Sequence, residues 1–128
     1  MSKNPLLTPL ELKVMNILWK LKKAFVKEIR EQWDDSDKEK PAYNTISTTV
    51  RILETKEYVD HQAFGRTHQY FPKISRFAYQ KKLMGNVLEN AFSGSTTHLI
   101  SALIDSKKVS DEDLKEIEEL IKKGKEES

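Results

Sequence analysis

Residues 43–53 read YNTISTTVRIL, and this segment decides the fold. In a helix, Ile46, Val50 and Leu53 recur at i, i+4 and i+7 and form one buried stripe. The opposite face is polar and almost uncharged, unlike a water-facing helix surface, which usually carries Lys and Glu. Short hydroxyl and amide side chains with one arginine suit close approach to base edges and phosphates. The segment is therefore predicted to be a DNA recognition helix. Its predicted contact residues are Tyr43, Asn44, Thr45, Ser47, Thr48, Arg51 and Thr55.

The flanking segments favour this interpretation over a helix that is buried on one side and merely rich in threonine on the other. Upstream, Thr8 and Glu11 are spaced as a capping box at a helix start, and a second, shorter helix follows over about residues 26–33. Downstream, two strand-like runs flank Gly65, which can take the positive φ of a hairpin turn. Three helices and then a hairpin is the order of a winged helix-turn-helix, in which the hairpin forms the wing. The predicted fold class is therefore mostly α with a small β-hairpin.

Arg66 lies at the predicted tip of the wing. A guanidinium there can reach a phosphate or the minor groove, whereas the plainer interpretation is an ordinary exposed arginine. Tyr43, at the start of the recognition helix, also has two interpretations. It could lie near a phosphate bound by the free backbone N–H groups, or it could pack against the preceding loop.

His61 and His68 are the best metal candidates, because a turn centred on Phe64-Gly65 would set them opposite each other on one face of the hairpin. A zinc site normally needs three or four ligands, and in sequence only Asp60 or Gln69 lies nearby, both on the other face of the strands. The sequence therefore predicts no metal site. The two histidines are interpreted as polar wing residues near a phosphate backbone.

The C-terminal part has a purely helical pattern that divides into three helices. The first begins at Ser75 and ends near Gly94, and the last begins at a capping segment that starts with Ser110 and ends at Gly124. Trp19 and Trp33, in the N-terminal part, fall at helix-core spacing and are predicted to be core residues.

The predicted domains are a winged helix at 1–74, a helical dimerisation domain at 75–124 and a frayed tail at 125–128. Three helices that together hold about 50 residues make a marginal core, yet these helices carry broad apolar faces. Pairing with a second copy of the chain would bury those faces. The predicted dimerisation residues are Leu99, Ile100, Leu103, Ile104, Leu114, Ile117 and Ile121.

Composition excludes several classes of protein. The 128 residues contain no Cys, which excludes disulfides, thiolate metal sites and thiol redox switches. No apolar run approaches the ~20 residues that a membrane span needs, and no signal-peptide core is present, so a cytoplasmic location is expected. Phosphate-binding loops, nucleophile elbows and metal-binding helix motifs are missing, so neither an enzyme nor a cofactor is expected. The net charge of +2 is too small to indicate nucleic-acid binding by itself.

The ordered set of motifs resembles the penicillinase-repressor family (BlaI/MecI/CopY type) of bacterial transcriptional regulators. The set comprises the segment from Leu7 to Trp19, the helix at 43–53, the Gly65-Arg66 wing and the run from Phe92 to Ile121. The resemblance implies a winged helix that binds operator DNA and a C-terminal segment that dimerises. Under this resemblance the chain is a homodimeric repressor on a palindromic operator, and a membrane sensor protease is a further partner.

Two departures from the family pattern concern the turn after the recognition helix and the inducing signal. Glu57 stands where many members have a glycine that closes the helix. Members of the β-lactam-responsive branch are cleaved at an Asn-Phe pair, and the matching candidate cleavage position here is Ala102-Leu103. The copper-responsive branch carries a cysteine motif, which this chain lacks. The resemblance therefore does not identify the inducer.

A different class of function also fits the sequence, namely a winged-helix module that binds protein without specific DNA binding. Only Arg51, Lys56 and Arg66 supply obvious positive charge on the predicted recognition surface. The salt dependence of binding to duplex DNA distinguishes the two, because affinity for DNA falls steeply as salt rises.

Overall fold

The computed structural model describes residues 5–34 and 40–127. The described residues form two compact units, which divide between Leu83 and Met84. The elements in chain order are α1 (Pro9–Leu21), β1 (Ala24–Phe25), α2 (Val26–Glu31), α3 (Tyr43–Thr55), β2 (Val59–Phe64), β3 (Thr67–Pro72), α4 (Arg76–Ala91), α5 (Thr96–Asp105) and α6 (Asp111–Glu127). The predicted fold class, a mostly α protein with a winged helix-turn-helix and a small β-hairpin, is confirmed.

Helix α1 begins at the predicted capping box. The Thr8 side chain accepts a hydrogen bond from the Glu11 N–H at 3.3 Å, and the Thr8 N–H donates to Oε1 of Glu11 at 2.9 Å. Pro9 occupies the first helical position, where its missing N–H is not needed. These local contacts fix where the chain turns into the first helix.

One hydrophobic core fills the first unit, between helices α1, α2 and α3 and the sheet. The predicted stripe of α3 contributes to it, and Trp33 is buried, whereas Trp19 is only partly buried. Tyr79, which the sequence did not indicate, is buried too and brings the start of α4 into this core. The largest fully buried side chains are Tyr58, Met15, Leu18, Ile29, Ile46, Leu53, Val14, Val50 and Val59.

The sheet has three antiparallel strands in the order β1-β3-β2, one more strand than predicted. Strand β1 has two residues, and Ala24 pairs with Tyr70 while Phe25 pairs with Gln69. Such a short apolar pair next to a helix has no period of its own, so only the tertiary pairing makes it a strand. This pairing attaches the wing to the start of α2.

Helix α3 ends in a Schellman motif, and Glu57 takes the left-handed position with φ 65°. The Tyr58 N–H donates to the Leu53 carbonyl at 2.9 Å, and the Glu57 N–H donates to the Glu54 carbonyl at 3.0 Å. Glu57 therefore adopts the left-handed conformation that a glycine usually takes at this position of a helix end. The cost is the strain of a side chain in left-handed backbone.

The second unit consists of the end of α4 with α5 and α6, and it buries no side chain between Met84 and Gly124. Ser95 caps α5, and Ser110 and Asp113 cap α6 reciprocally. The predicted helix stop at Gly124 is wrong, because α6 continues to Glu127. One glycine costs only about 1 kcal/mol in a helix that is already formed. Ser128, the last residue of the predicted tail, lies outside the described residues.

Over residues 5–34 and 40–127, no helix combines the length and the apolar character that crossing a membrane requires.

Candidate nucleic-acid interface

Helix α3 divides into a buried face and an outer face much as its sequence predicts. Ile46, Val50 and Leu53 are fully buried, and they are joined by Thr49, whose hydroxyl donates to the Thr45 carbonyl at 2.7 Å. The outer face is open to solvent over most of the predicted contact residues. Tyr43, Asn44, Thr45, Thr48, Arg51 and Thr55 are exposed, and Ser47 is half-buried.

The outer face of α3 borders a groove of about 570 Å³ whose other walls are the start of α2 and strand β3. Four predicted contact residues of α3 reach this groove, together with Arg66 from the wing. Thr45, Thr48 and Thr55 do not line it. The residues that line the groove are Phe25, Val26, Lys27, Glu28, Tyr43, Asn44, Ser47, Arg51, Arg66, Thr67, His68 and Tyr70. Contact of these side chains with DNA stays a prediction.

Arg51 lies beside the hydroxyl group of Tyr70 in the groove. Burial raises the pKa of the Tyr70 hydroxyl, and the nearby Glu54 carboxylate raises it further, whereas the Arg51 guanidinium and its hydrogen bond to that hydroxyl act in the opposite direction. The net shift is upward, so Tyr70 is neutral at physiological pH. The neutral hydroxyl beside Arg51 therefore leaves the guanidinium charge unneutralised.

Two of the predicted contact residues, Thr45 and Thr55, already take part in side-chain hydrogen bonds within the helix. The Thr55 hydroxyl donates to the Arg51 carbonyl at 3.1 Å, and the Thr45 carbonyl accepts from Thr49. Thr55 can therefore offer only acceptor lone pairs to a ligand in this conformation.

The wing turns at Gly65 and Arg66, and Arg66 is exposed at the tip. Gly65 has φ 62° at the first central position of a two-residue loop, where glycine meets no steric penalty. Phe64 packs edge-on against Phe25 with ring centroids 5.7 Å apart, a contact between the wing tip and strand β1 that the sequence did not indicate. This contact packs the end of β2 next to the wing turn against β1.

The predicted register of the two wing histidines is wrong. The loop is centred between Gly65 and Arg66, so His61 lies opposite Tyr70, and His68 lies opposite Ala63. The two imidazoles still share one face and stack in parallel, with centroids 4.1 Å apart and planes 8° apart. His61 Nδ1 also contacts Oε1 of Glu54, which comes from helix α3 and not from the wing.

Lys56 does not belong to the recognition surface, contrary to its predicted place there. Its ammonium group binds both carboxylate oxygens of Glu11, at 2.7 and 2.9 Å, and ties the end of α3 to α1. Burial opposes ionisation of Glu11, but the contacts with Lys56 and Thr8 outweigh it and lower the pKa of the carboxyl group. The positive charge that reaches the groove therefore comes from Lys27, Arg51 and Arg66.

Comparison with known proteins gives consistent results. The family model described as "Penicillinase repressor" matches residues 7–123. The penicillinase repressor of Bacillus licheniformis is 23% identical over 125 residues, which cover 98% of this chain and 96% of that protein. The solution structure of the DNA-binding domain of the repressor BlaI superposes with a TM-score of 0.50 at 28% identity, covering 59% of this chain and 90% of that one.

Proposed function

This chain belongs to the penicillinase repressor family, and we propose that it is a homodimeric transcriptional repressor that binds a palindromic DNA operator. The observation that carries the proposal is the groove in which Asn44, Ser47 and Arg51 of α3 and Arg66 of the wing lie together. Helix α3 enters the major groove of DNA, while the wing contacts the backbone. Repression follows from occlusion of a promoter by the bound dimer in the cytoplasm.

Arg51 and Asn44 read base edges. They lie seven residues apart, about two helical turns, on one face of α3. An arginine can bind O6 and N7 of a guanine in bidentate fashion, and an asparagine can bind N6 and N7 of an adenine. The short side chains of Thr45, Ser47, Thr48 and Thr55 let the helix backbone approach the duplex and bind phosphates or base edges. Tyr43, which is 49% exposed, lies at the helix start beside a phosphate.

Arg66 binds a phosphate or enters the minor groove. It lies beyond the last strand pair, in the exposed wing turn, where its side chain is accessible to DNA. A contact of this kind adds affinity without reading bases.

Dimerisation occurs through the second unit. Leu103 and Ile104 in α5 and Ile121 in α6 are each more than 40% exposed, which is unfavourable for aliphatic side chains in water. A second copy that covers these faces removes them from water and sets the spacing of two half-sites. The same interface includes the predicted residues Leu99, Ile100, Leu114 and Ile117.

Induction cuts α5 at the candidate cleavage position, Ala102-Leu103, through a membrane sensor protease of the kind the family resemblance implies. Both residues are exposed, and a cut there interrupts the helix that carries Leu103 and Ile104. Loss of the dimer then releases DNA. Intact mass measurement on the protein from induced cells is expected to give two fragments, one ending at Ala102 and the other beginning at Leu103. An uncut chain would contradict this route of induction.

Substitution of the two arginines tests the DNA-binding proposal. Arg51→Ala is expected to weaken binding to the preferred duplex, selected from a random pool, by about 1–3 kcal/mol and to relax base preference. Arg66→Ala is expected to weaken binding to all duplexes alike and to make the salt slope shallower by about 1. Arg76→Ala is the control, because Arg76 lies over the Trp19 ring and does not line the groove.

The competing proposal, a protein-binding module, predicts different results. The parent protein would bind random and selected duplexes weakly, and the three arginine variants would behave alike. Parent affinity that is independent of both sequence and salt would contradict the repressor proposal.

A further inference from the structure

A cluster of metal-binding side chains lies where helix α3 meets strand β2. Glu54 comes from the last turn of α3, and Asp60 and His61 come from β2. One ligand atom from each lies within 4.8 Å of the other two. Oε1 of Glu54 contacts Nδ1 of His61, and Oδ1 of Asp60 accepts the His61 backbone N–H at 2.8 Å. No residue of this cluster lines the proposed DNA groove.

Sequence spacing could not reveal this cluster, because its third ligand comes from another element. On the wing alone, His61 has one neighbouring carboxylate and one stacked imidazole, too few convergent ligands for a zinc site. Glu54 lies seven residues before His61, and the turn at residues 56–58 brings its carboxylate back onto β2. The cluster then has one imidazole and two carboxylates.

These ligands suit a divalent first-row transition ion. Imidazole nitrogen favours Zn²⁺ and its neighbours, and carboxylates add two negative charges that offset the charge of the ion. In a tetrahedral zinc site, ligand atoms about 2.0–2.2 Å from the ion lie about 3.4 Å from one another. The three ligand atoms lie within 4.8 Å of one another, which is within reach of this spacing. Rotations of the three side chains would bring these atoms to the spacing that a tetrahedral ion requires.

Neighbouring rings orient the imidazole of His61. The His68 ring stacks on it at 4.1 Å, and the Tyr70 ring lies 5.7 Å away on the facing strand. Outer contacts of this kind hold a metal-binding histidine in one orientation and reduce the cost of ordering it. A metal ion that binds both Nδ1 and Oε1 would take the place of the proton that a hydrogen bond between these two atoms requires.

We propose that Glu54, Asp60 and His61 form a binding site for a divalent transition metal ion such as Zn²⁺, with water completing the coordination. Because the ligands come from α3 and β2, the ion joins the recognition helix to the wing. Binding of the ion therefore stabilises the folded first unit by mass action.

Calorimetric titration of the full chain with ZnCl₂ tests the site, and cobalt absorption gives the geometry. We expect one ion per chain, with four-coordinate cobalt bands. Glu54→Gln and His61→Gln should each lower zinc affinity at least tenfold. His98→Gln is the matched control, because His98 lies in α5 of the second unit and should bind zinc as the parent does.

Asp60→Asn separates a metal site from an ordinary hydrogen bond between helix and wing. This change keeps an oxygen that can accept the His61 N–H, and it leaves the Glu54–His61 contact in place. If Asp60 only accepts a hydrogen bond and is not a ligand, Asp60→Asn will leave the zinc affinity of the chain unchanged, and this result would overturn the three-residue site. The proposed site instead requires at least a tenfold loss of zinc affinity. A parent chain that binds no zinc at millimolar concentration would also overturn the proposal. None of these measurements uses DNA, so their outcome is independent of the repressor proposal.

Discussion

The two compact units of this chain bury their apolar side chains to very different extents. Among the described residues, every buried hydrophobic side chain lies in the first unit, where Leu18 and Leu53 are fully buried. In the second unit, described side chains as large as Leu120 and Ile121 are 67% and 55% exposed. An amphipathic helix gains most of its stability from packing its apolar face. The first unit therefore has its own hydrophobic core. The second unit has large apolar side chains but too few residues to bury them.

The largest expected effect concerns the second unit. Leu103→Asp places a charge in the proposed dimer interface, where it would have to lose its hydration. Affinity for a duplex with two half-sites should fall by about 10²–10⁴, because the second contact loses its effective concentration. Affinity for a single half-site should be unchanged.

Ser101→Asp provides the control for this charge, since it lies in α5 off the apolar stripe and is already exposed. Gel-shift titrations with both duplexes measure the difference. Equal losses on one and two half-sites would show that the second unit does not act through dimerisation.

The next prediction concerns the core of the first unit. Leu53→Ala removes a fully buried side chain and should lower the free energy of unfolding by about 2–5 kcal/mol. Ile52→Ala, its exposed neighbour on the same helix, should cost less than about 1 kcal/mol. Urea unfolding at several protein concentrations measures both. A cost for Leu53→Ala that varies with protein concentration would contradict a core complete within one chain.

A smaller effect is expected for the ion pair that ties α3 to α1. Glu11→Gln leaves Lys56 without its carboxylate and should cost about 1–3 kcal/mol. The folded pKa of Glu11 lies below the ordinary value of 4.5, so its contribution is present above that pH and is lost as pH falls through the folded pKa. Unfolding curves of the parent and the variant should converge in acid.

Glu31→Gln, on an exposed part of α2, should change stability by less than about 0.5 kcal/mol. A Glu11→Gln variant as stable as this control at neutral pH would mean that the ion pair contributes nothing.

The smallest predicted effect is a gain. Glu57→Gly removes a side chain from backbone with φ 65° and should stabilise the first unit by about 0.5–1 kcal/mol, net of the flexibility that glycine adds to the unfolded chain. Lys20→Gly, inside α1, should instead destabilise by about 1 kcal/mol. Thermal unfolding compares the two. Destabilisation by Glu57→Gly would show that contacts of the Glu57 side chain outweigh its backbone strain.

Sequence reasoning succeeded where short-range patterns determine structure. The capping box at Thr8, the buried stripe of α3 and the glycine turn of the wing are all local, and each was predicted from spacing alone. The stop at Gly124 failed because a glycine ends a helix only when the following residues favour another conformation. The two-residue strand β1 has no pattern to detect.

Long-range contacts account for what the sequence did not reveal in the site. The sequence placed the positive charge of Lys56 on the recognition surface, but its partner Glu11 lies 45 residues earlier. Glu54 comes back to His61 only because of the turn after α3. The histidine register depended on a one-residue difference in the position of the hairpin centre, and a one-residue slip changes every pair in a sheet.

Sedimentation equilibrium of the intact chain at micromolar concentration tests the contrast between the two units most directly. If a second copy covers the exposed faces of α5 and α6, the parent protein will sediment with twice the chain mass of 14.9 kDa, and Leu103→Asp will sediment as a folded single chain. A parent protein that sediments at 14.9 kDa would contradict the dimer and, with it, the proposal of a palindromic operator.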